Sequence, residues 1–140
     1  MSQHKIGRAG EYLAAYHLSL YFDEIFESSP SARYDFLVIK DSEPYKVQVK
    51  TSESSFEHRN KDMVRWDIKK KVNKTKKMYS EDEVDLFAFV YLPLNSCEFV
   101  ANRNITATWQ KSLSYIEEIN PVKSLEKSVV IINELKEQTF

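Results

Sequence analysis

Three polar residues are spaced so that a β-hairpin would bring them together. Asp35 lies in one predicted strand, and Gln48 and Lys50 lie near the end of the next strand. In an antiparallel hairpin the start of the first strand lies beside the end of the second, and residues two apart share one face. We therefore expect Asp35 to lie close to Gln48 and Lys50. Glu11 reaches the same corner if the helix that carries it packs across the sheet.

This set of two carboxylates, one carboxamide and one ammonium group suits the hydrolysis of a phosphodiester bond with a hard cation. Mg²⁺ takes oxygen ligands, and one or two carboxylates with water and a substrate phosphate are enough to hold it; Mn²⁺ can substitute. Asp35 would be the central ligand, Glu11 a second or water-mediated ligand, and Gln48 a neutral donor. The backbone carbonyl of Val49 is a further candidate ligand. Lys50 would orient the attacking water or steady the charge on the phosphoryl oxygens.

The helix that carries Glu11 is predicted over residues 6–22, where apolar residues recur at helical spacing. It contains the only two glycines of the chain, Gly7 and Gly10. Each costs about 1 kcal/mol relative to alanine in a helix interior. Two glycines three residues apart indicate close approach of the helix to another backbone or to a ligand, with fraying of the first turn as the simpler alternative.

The rest of the sequence predicts an α/β fold with a mixed sheet flanked by helices. Residues 24–31 are interpreted as a solvated connection. The predicted strands are residues 34–40 and 45–51 as a hairpin, 63–68, the apolar run 86–91 as a strand buried on both faces, and 97–100. Two helices are predicted at 107–119 and 125–136. Residues 1–140 are expected to form one domain, with a helical C-terminal part over about 105–140.

Composition excludes several other classes of protein. The chain has 140 residues, of which 42% are hydrophobic and 29% charged, as in a globular domain. No apolar stretch approaches the roughly 20 residues of a bilayer span, and the N-terminus lacks the apolar run of a secretory signal. Cys97 is the only cysteine, which excludes an internal disulfide and a cysteine-based zinc site. No membrane partner is expected, and the cytoplasm is the expected location.

Positive charge is concentrated in one segment. Residues 58–77 hold nine of the 20 Lys and Arg residues and two acids, a net charge of +7 in a chain whose total is −1. A basic stretch on an acidic background is typical of contact with a phosphate backbone, although a solvated loop has the same composition. The candidate contacts to such a nucleic-acid backbone are Arg65, Lys69, Lys70, Lys71, Lys74, Lys76 and Lys77.

Three short motifs together resemble those of the PD-(D/E)XK nuclease superfamily. They are Gly7-Arg8-Ala9-Gly10-Glu11, Arg33-Tyr34-Asp35 and Val47-Gln48-Val49-Lys50-Thr51. The resemblance is greatest to the branch of the cyanobacterial group I intron homing endonucleases, in which glutamine stands where most of the superfamily has its second strand acid. It covers roughly residues 5 to 101.

The resemblance implies a restriction-endonuclease-like core and a Mg²⁺-dependent endonuclease that assembles as a homodimer or homotetramer. It also implies double-stranded DNA as the partner and a bacterial or phage-infected cell as the host. Carried over by position, the active-site residues are Glu11, Asp35, Gln48 and Lys50. Two features depart from the superfamily pattern. Its Pro-Asp dipeptide is Tyr34-Asp35 here, and Gln48 removes one negative charge, which lowers the expected metal affinity.

Several functions remain open from the sequence. A site-specific homing endonuclease is the first, a structure-selective nuclease of the Holliday-junction type is the second, and a catalytically inactive DNA-binding module is the third. Cutting both strands with one site per chain requires at least two chains. The apolar stripes of the two C-terminal helices would serve either the core or a subunit interface.

Overall fold

A computed structural model describes residues 2–68, 70–72, 75–77, 83–105 and 107–138. Its elements in chain order are α1 (Gln3–Tyr21), β1 (Glu24–Glu27), β2 (Phe36–Lys40), β3 (Glu43–Ser52), β4 (Phe56–His58), β5 (Lys61–Asp67), β6 (Lys70–Val72), β7 (Thr75–Lys77), β8 (Leu86–Tyr91), β9 (Ser96–Ala101), β10 (Thr108–Ser112), α2 (Leu113–Glu117) and α3 (Pro121–Glu137). Within these described ranges, no helix is both long and apolar enough to cross a membrane.

The main sheet has five strands in the order β1-β2-β3-β8-β9. Strands β2 and β3 form the predicted antiparallel hairpin, in which Lys40 pairs with Glu43. Asp41 and Ser42 at its tip have φ values of 50° and 68°, as the two central residues of a type I′ turn require. Strand β8 runs parallel to β3, whereas the other pairs are antiparallel. The predicted mixed sheet flanked by helices is therefore confirmed.

Both faces of this sheet are buried. One face packs against α1 and α3, and the other packs against a second sheet. All six residues of β8 are buried, as the continuous apolar run predicts. The helix-side core includes Ala14, Leu18, Val47, Val49, Leu86, Ala88, Leu125, Val129 and Ile132, and the opposite core includes Val64, Trp66, Ile68, Phe87, Phe89 and Ile116.

The second sheet has the order β10-β5-β4 and corrects one prediction. Residues 107–119 are not one helix, because Thr108–Ser112 form strand β10 and α2 covers Leu113–Glu117 alone. Trp109 pairs with Trp66 of β5 and stacks on Phe89 of the main sheet, with ring centroids 5.3 Å apart. Pairing with β5 and burial of the Trp109 ring therefore decide the conformation over the helical spacing of the sequence.

The structure also decides the predictions for residues 24–31 and 125–136. The interpretation of residues 24–31 as a solvated connection is wrong for Glu24–Glu27, which form edge strand β1 and pair with β2. The prediction of a helix at 125–136 is confirmed by α3. Its apolar stripe completes the core, because Leu125, Val129 and Ile132 are buried against the main sheet.

The predicted close approach of α1 is found at Gly10 and not at Gly7. A Cβ at Gly10 would lie 1.8 Å from Oγ1 of Thr51 and 2.7 Å from its Cβ, whereas one at Gly7 would meet nothing within 4 Å. Thr51 belongs to β3 and follows Lys50 directly. Gly10 therefore allows the backbone of α1 to lie against the strand that carries Gln48 and Lys50.

We expect Gly10→Ala to lower the free energy of unfolding by about 1–3 kcal/mol, because the β-branched Thr51 side chain cannot swing clear of the new methyl group. Gly7→Ala is the matched control and should stabilise α1 by up to about 1 kcal/mol. Urea unfolding of the two variants measures both effects. Equal stability of Gly10→Ala and the wild type would show that α1 does not need this close contact.

Candidate active site

Asp35 is held against β3 through both its backbone and its side chain. Its N–H donates to the Val47 carbonyl at 2.8 Å, and its Oδ2 accepts from the Val49 N–H at 2.7 Å. Hydrogen bonds to an ionised acceptor are among the stronger ones in proteins, so the second bond orients the carboxylate. Asp35 is thereby fixed just before β2 begins, beside the β3 segment that contains Gln48 and Lys50.

Glu11 reaches Asp35 from α1, and the two carboxyl groups share a hydrogen bond. The pKa of Glu11 is raised from 4.5 to about 7 by burial first, then by the charge of Asp35 and their hydrogen bond, and last by the charge of Glu27. Two carboxyl groups in contact resist double ionisation, so a proton is retained near neutral pH. The fold therefore brings the two predicted acids together.

Glu27 is a third carboxylate near this pair that the sequence interpretation missed. It ends the edge strand β1, and its charge contributes to the raised pKa of Glu11. The signal available in the sequence was the short run Glu24–Glu27 between a helix and a turn-rich segment. A four-residue edge strand has too little periodicity to be distinguished from a loop.

A cleft of about 360 Å³ opens beside the paired acids. Its wall comes from α1 and from residues 27–36, and it includes Arg8, Glu11, Tyr12, Glu27, Tyr34 and Asp35. Gln48, Val49 and Lys50 are not part of this wall. They adjoin it through the hydrogen bond between Val49 and Asp35.

Gln48 and Lys50 lie on one face of β3, and the side chains of Val47 and Val49 lie on the other. Gln48 and Lys50 are half-buried and alternate with Val47 and Val49, which are buried in the helix-side core. The Gln48 Nε2 donates to the Val49 carbonyl at 3.4 Å, which is a long hydrogen bond. The Gln48 side chain and the Val49 carbonyl, which are the two predicted neutral ligands, are therefore adjacent. Lys50 is engaged in interactions within the fold.

The donor set fits a hard divalent cation. In the part of the chain that the structure describes, no group of three or more His, Cys, Asp and Glu side chains could hold a metal ion. A site here would therefore use Glu11 and Asp35 with neutral oxygen donors and water, a set that Mg²⁺ accepts. The raised pKa of Glu11 supports this fit, because burial and neighbouring negative charge disfavour its ionised form and a cation would favour it.

Of the predicted DNA-contact residues, Arg65 lies in the second sheet and four lysines lie in a two-stranded arm made of β6 and β7. Arg65 is exposed on β5. In the arm, Lys70 pairs with Lys77 and Lys71 with Lys76. Lys69 and Lys74 lie outside the described residues.

Trp66, Asp85 and Cys97 have structural roles in the fold. Trp66 is buried, and its Nε1 donates to the Val90 carbonyl at 2.9 Å, so its ring packs in the core between the two sheets. Asp85 accepts a hydrogen bond from the Lys46 N–H at 2.7 Å and so anchors β3. Cys97 is fully buried in the helix-side core, and burial raises the pKa of its thiol.

The raised pKa of Glu11 predicts a pH-dependent stability in the absence of divalent cations. A carboxyl group whose pKa rises from 4.5 to about 7 on folding stabilises the protein below pH 4.5, and that stability is lost as pH rises to about 7. The full shift corresponds to about 3 kcal/mol, and screening at this partly exposed position leaves about 1 kcal/mol. Urea unfolding in EDTA at pH 5 and pH 8 measures the loss.

Glu11→Gln should remove this part of the pH dependence, because glutamine does not titrate. Glu126→Gln, on the exposed surface of α3, is the control and should retain it. An unchanged pH profile in Glu11→Gln would mean that another group carries the proton.

The comparisons with known proteins identify the fold. No protein-family model and no curated protein matches the sequence. Among solved structures, the chain is similar to "The structure of a bacterial homing endonuclease: I-Ssp6803I", with a TM-score of 0.68 and 16% sequence identity. The match covers 100% of this chain and 99% of that chain. The protein therefore has the fold of that endonuclease over its full length.

Proposed function

We propose that this protein is a divalent-metal-dependent endonuclease that hydrolyses phosphodiester bonds in double-stranded DNA, with site-specific action of the homing type. The observation that carries the proposal is the hydrogen-bonded pair of Glu11 and Asp35 at an open cleft. The full-length likeness to a bacterial homing endonuclease supports it. We assign the site to the PD-(D/E)XK type, with Gln48 in the position of the second strand acid.

The residues that would hold the cation are Asp35, Glu11, Gln48 and the carbonyl of Val49. When bound, Mg²⁺ or Mn²⁺ would polarise the scissile phosphate and lower the pKa of a coordinated water. The neutral amide of Gln48 keeps the total negative charge of the site lower than a third acid would.

The side chains around the cation site have separate tasks. The Val49 N–H keeps the Asp35 carboxylate directed at one position, so no reorientation is needed when substrate arrives. Glu11 gives up its retained proton when positive charge enters the site, because its pKa of about 7 reflects burial and a nearby negative charge. Lys50 would steady the negative charge that develops on the phosphoryl oxygens.

DNA is the proposed partner of the basic segment. The four lysines of β6 and β7 would neutralise backbone phosphates, the contacts that supply sequence-independent affinity. Lys69 and Lys74 belong to the same proposed surface by sequence.

We expect Asp35→Asn to lower the rate of Mg²⁺-dependent nicking of a supercoiled plasmid by on the order of 100-fold or more, the scale for removing an electrostatic contact from a reacting centre. The asparagine oxygen can still accept the Val49 N–H, so the fold and DNA binding in EDTA should be retained. Glu126→Gln is the control and should nick at the wild-type rate.

The other outcomes separate the alternatives. Equal nicking by Asp35→Asn and the wild type would place the catalytic site elsewhere. Binding without nicking by the wild type, in either Mg²⁺ or Mn²⁺, would indicate a catalytically inactive DNA-binding module. Cleavage of a four-way junction but not of linear duplex would indicate a structure-selective nuclease.

We further propose that two copies associate through α1. Tyr12, Tyr16 and Leu20 are 61–66% exposed and follow one another at four-residue spacing, an apolar stripe on a helix face. A twofold pairing centred on Tyr16 would cover this stripe on both copies.

Tyr16→Lys should convert such a dimer to a monomer, because it puts like charges opposite each other at the twofold axis. Val130→Lys replaces another exposed apolar residue, 55% exposed on α3, and should leave the assembly unchanged. Sedimentation velocity measures both. A wild-type monomer at micromolar concentration, or a dimer that survives in Tyr16→Lys, would contradict the proposed interface.

A further inference from the structure

The outer face of the second sheet carries polar side chains that the candidate active site does not use. Along β5, Val64 and Trp66 point into the core between the two sheets, so Arg65 and Asp67 lie on the opposite, exposed face. Strand β10 alternates in the same way. Its exposed residues are Thr108 and Gln110, whereas Trp109 packs inward.

The strand register places these exposed residues in two directly opposite pairs. Arg65 of β5 pairs with Gln110 of β10, and Asp67 pairs with Thr108. The guanidinium carbon of Arg65 also lies 5.4 Å from the ring centroid of Phe56 on β4. This cation–π contact with the ring restricts the Arg65 side chain on an exposed surface.

Arginine and glutamine are the side chains that make bidentate contacts to base edges, arginine to guanine and glutamine to adenine. Side chains at opposite positions of an antiparallel pair are about 5 Å apart at Cβ, and neighbouring bases of one DNA strand are about 3.4 Å apart. Two long side chains in this register can therefore reach adjacent base pairs. In the described part of the chain, strand β4 pairs only with residues 61–63 of β5, so the sheet is two strands wide at residues 65–67. The B-DNA major groove admits a two-stranded β-ribbon.

We propose that β5 and β10 form a base-reading ribbon in the DNA major groove, in which Arg65 selects guanine and Gln110 selects adenine at a neighbouring base pair. This inference rests on the proposed function, because it requires that double-stranded DNA is the substrate. It adds sequence recognition by two named residues, one of them outside the basic segment.

Two features favour base reading over phosphate contact on this face. Asp67 lies on the same face as Arg65, and a carboxylate repels phosphates but can accept a hydrogen bond from the cytosine amino group. The chain also continues from β5 towards β6 within three residues. By sequence, the lysines of the basic segment would supply the phosphate contacts that set the register, while the ribbon contacts the bases.

Selection from a random duplex library in EDTA, followed by sequencing, tests the inference. The wild type should enrich a motif that contains one guanine and one neighbouring adenine. Arg65→Lys retains the positive charge but loses the planar fork, so it should lower the preference for that guanine by about tenfold or more and leave the salt dependence of binding unchanged. Gln110→Ala should lower the preference for adenine and leave the preference for guanine unchanged.

Arg103→Ala and Gln3→Ala are matched controls, because both side chains are exposed and lie outside the ribbon. They should retain the full motif. Replacing Lys70, Lys71, Lys76 and Lys77 by glutamine should instead weaken binding to all sequences and lower the salt slope by about 0.9 for each phosphate that is no longer neutralised.

Each contrary outcome has a distinct meaning. A motif that is unchanged in Arg65→Lys and Gln110→Ala, or binding by the wild type without any motif, would overturn the base-reading ribbon while DNA binding stands. A wild-type protein that binds no DNA at all would overturn the proposed function together with the inference.

Discussion

The contact between α1 and β3 at Gly10 and Thr51 is the constraint on which the candidate site depends. The absence of a side chain at Gly10 lets the helix backbone approach the strand more closely than any other residue type would allow. Glu11 is the next residue of the helix, and Lys50 is the residue before Thr51. The same close contact that joins the two elements therefore brings a helix-borne acid to the corner where Asp35 is held by the N–H of Val49.

This corner concentrates negative charge at a cost to stability. Glu11 and Asp35 are in hydrogen-bond contact, Glu27 adds its field from the edge strand, and partial burial weakens the solvation of the ionised Glu11. Such an arrangement lowers the stability of the fold unless charge of the opposite sign is brought close to it. Perturbed acids of this kind cluster at functional sites, where a ligand or substrate can supply charge of the opposite sign.

The two faces of the main sheet support different parts of the molecule. The helix-side face carries α1 and the paired acids, and the opposite face carries the second sheet with its exposed polar surface. That second sheet is firmly attached, because Trp66 donates a hydrogen bond to the main-sheet carbonyl of Val90 and Trp109 stacks on Phe89. A surface fixed in this way can hold side chains in the narrow geometry that base recognition demands.

The sequence by itself determined the elements whose signals are local. The turn residues Asp41 and Ser42 and the apolar run of β8 are local signals, so the hairpin and the buried strand could be predicted. The two glycines of α1 indicated a close helix contact, but only the structure assigned it to Gly10. Only the tertiary structure decided that Thr108–Ser112 is a strand and that Glu24–Glu27 is an edge. Strand β10 owes its conformation to β5, which lies far earlier in the chain, and β1 owes its conformation to β2, the next strand. A short strand is stabilised by the hydrogen bonds and burial that its neighbours supply. For the same reason Glu27 and Gln110 could not be assigned to a site until their partners were in place.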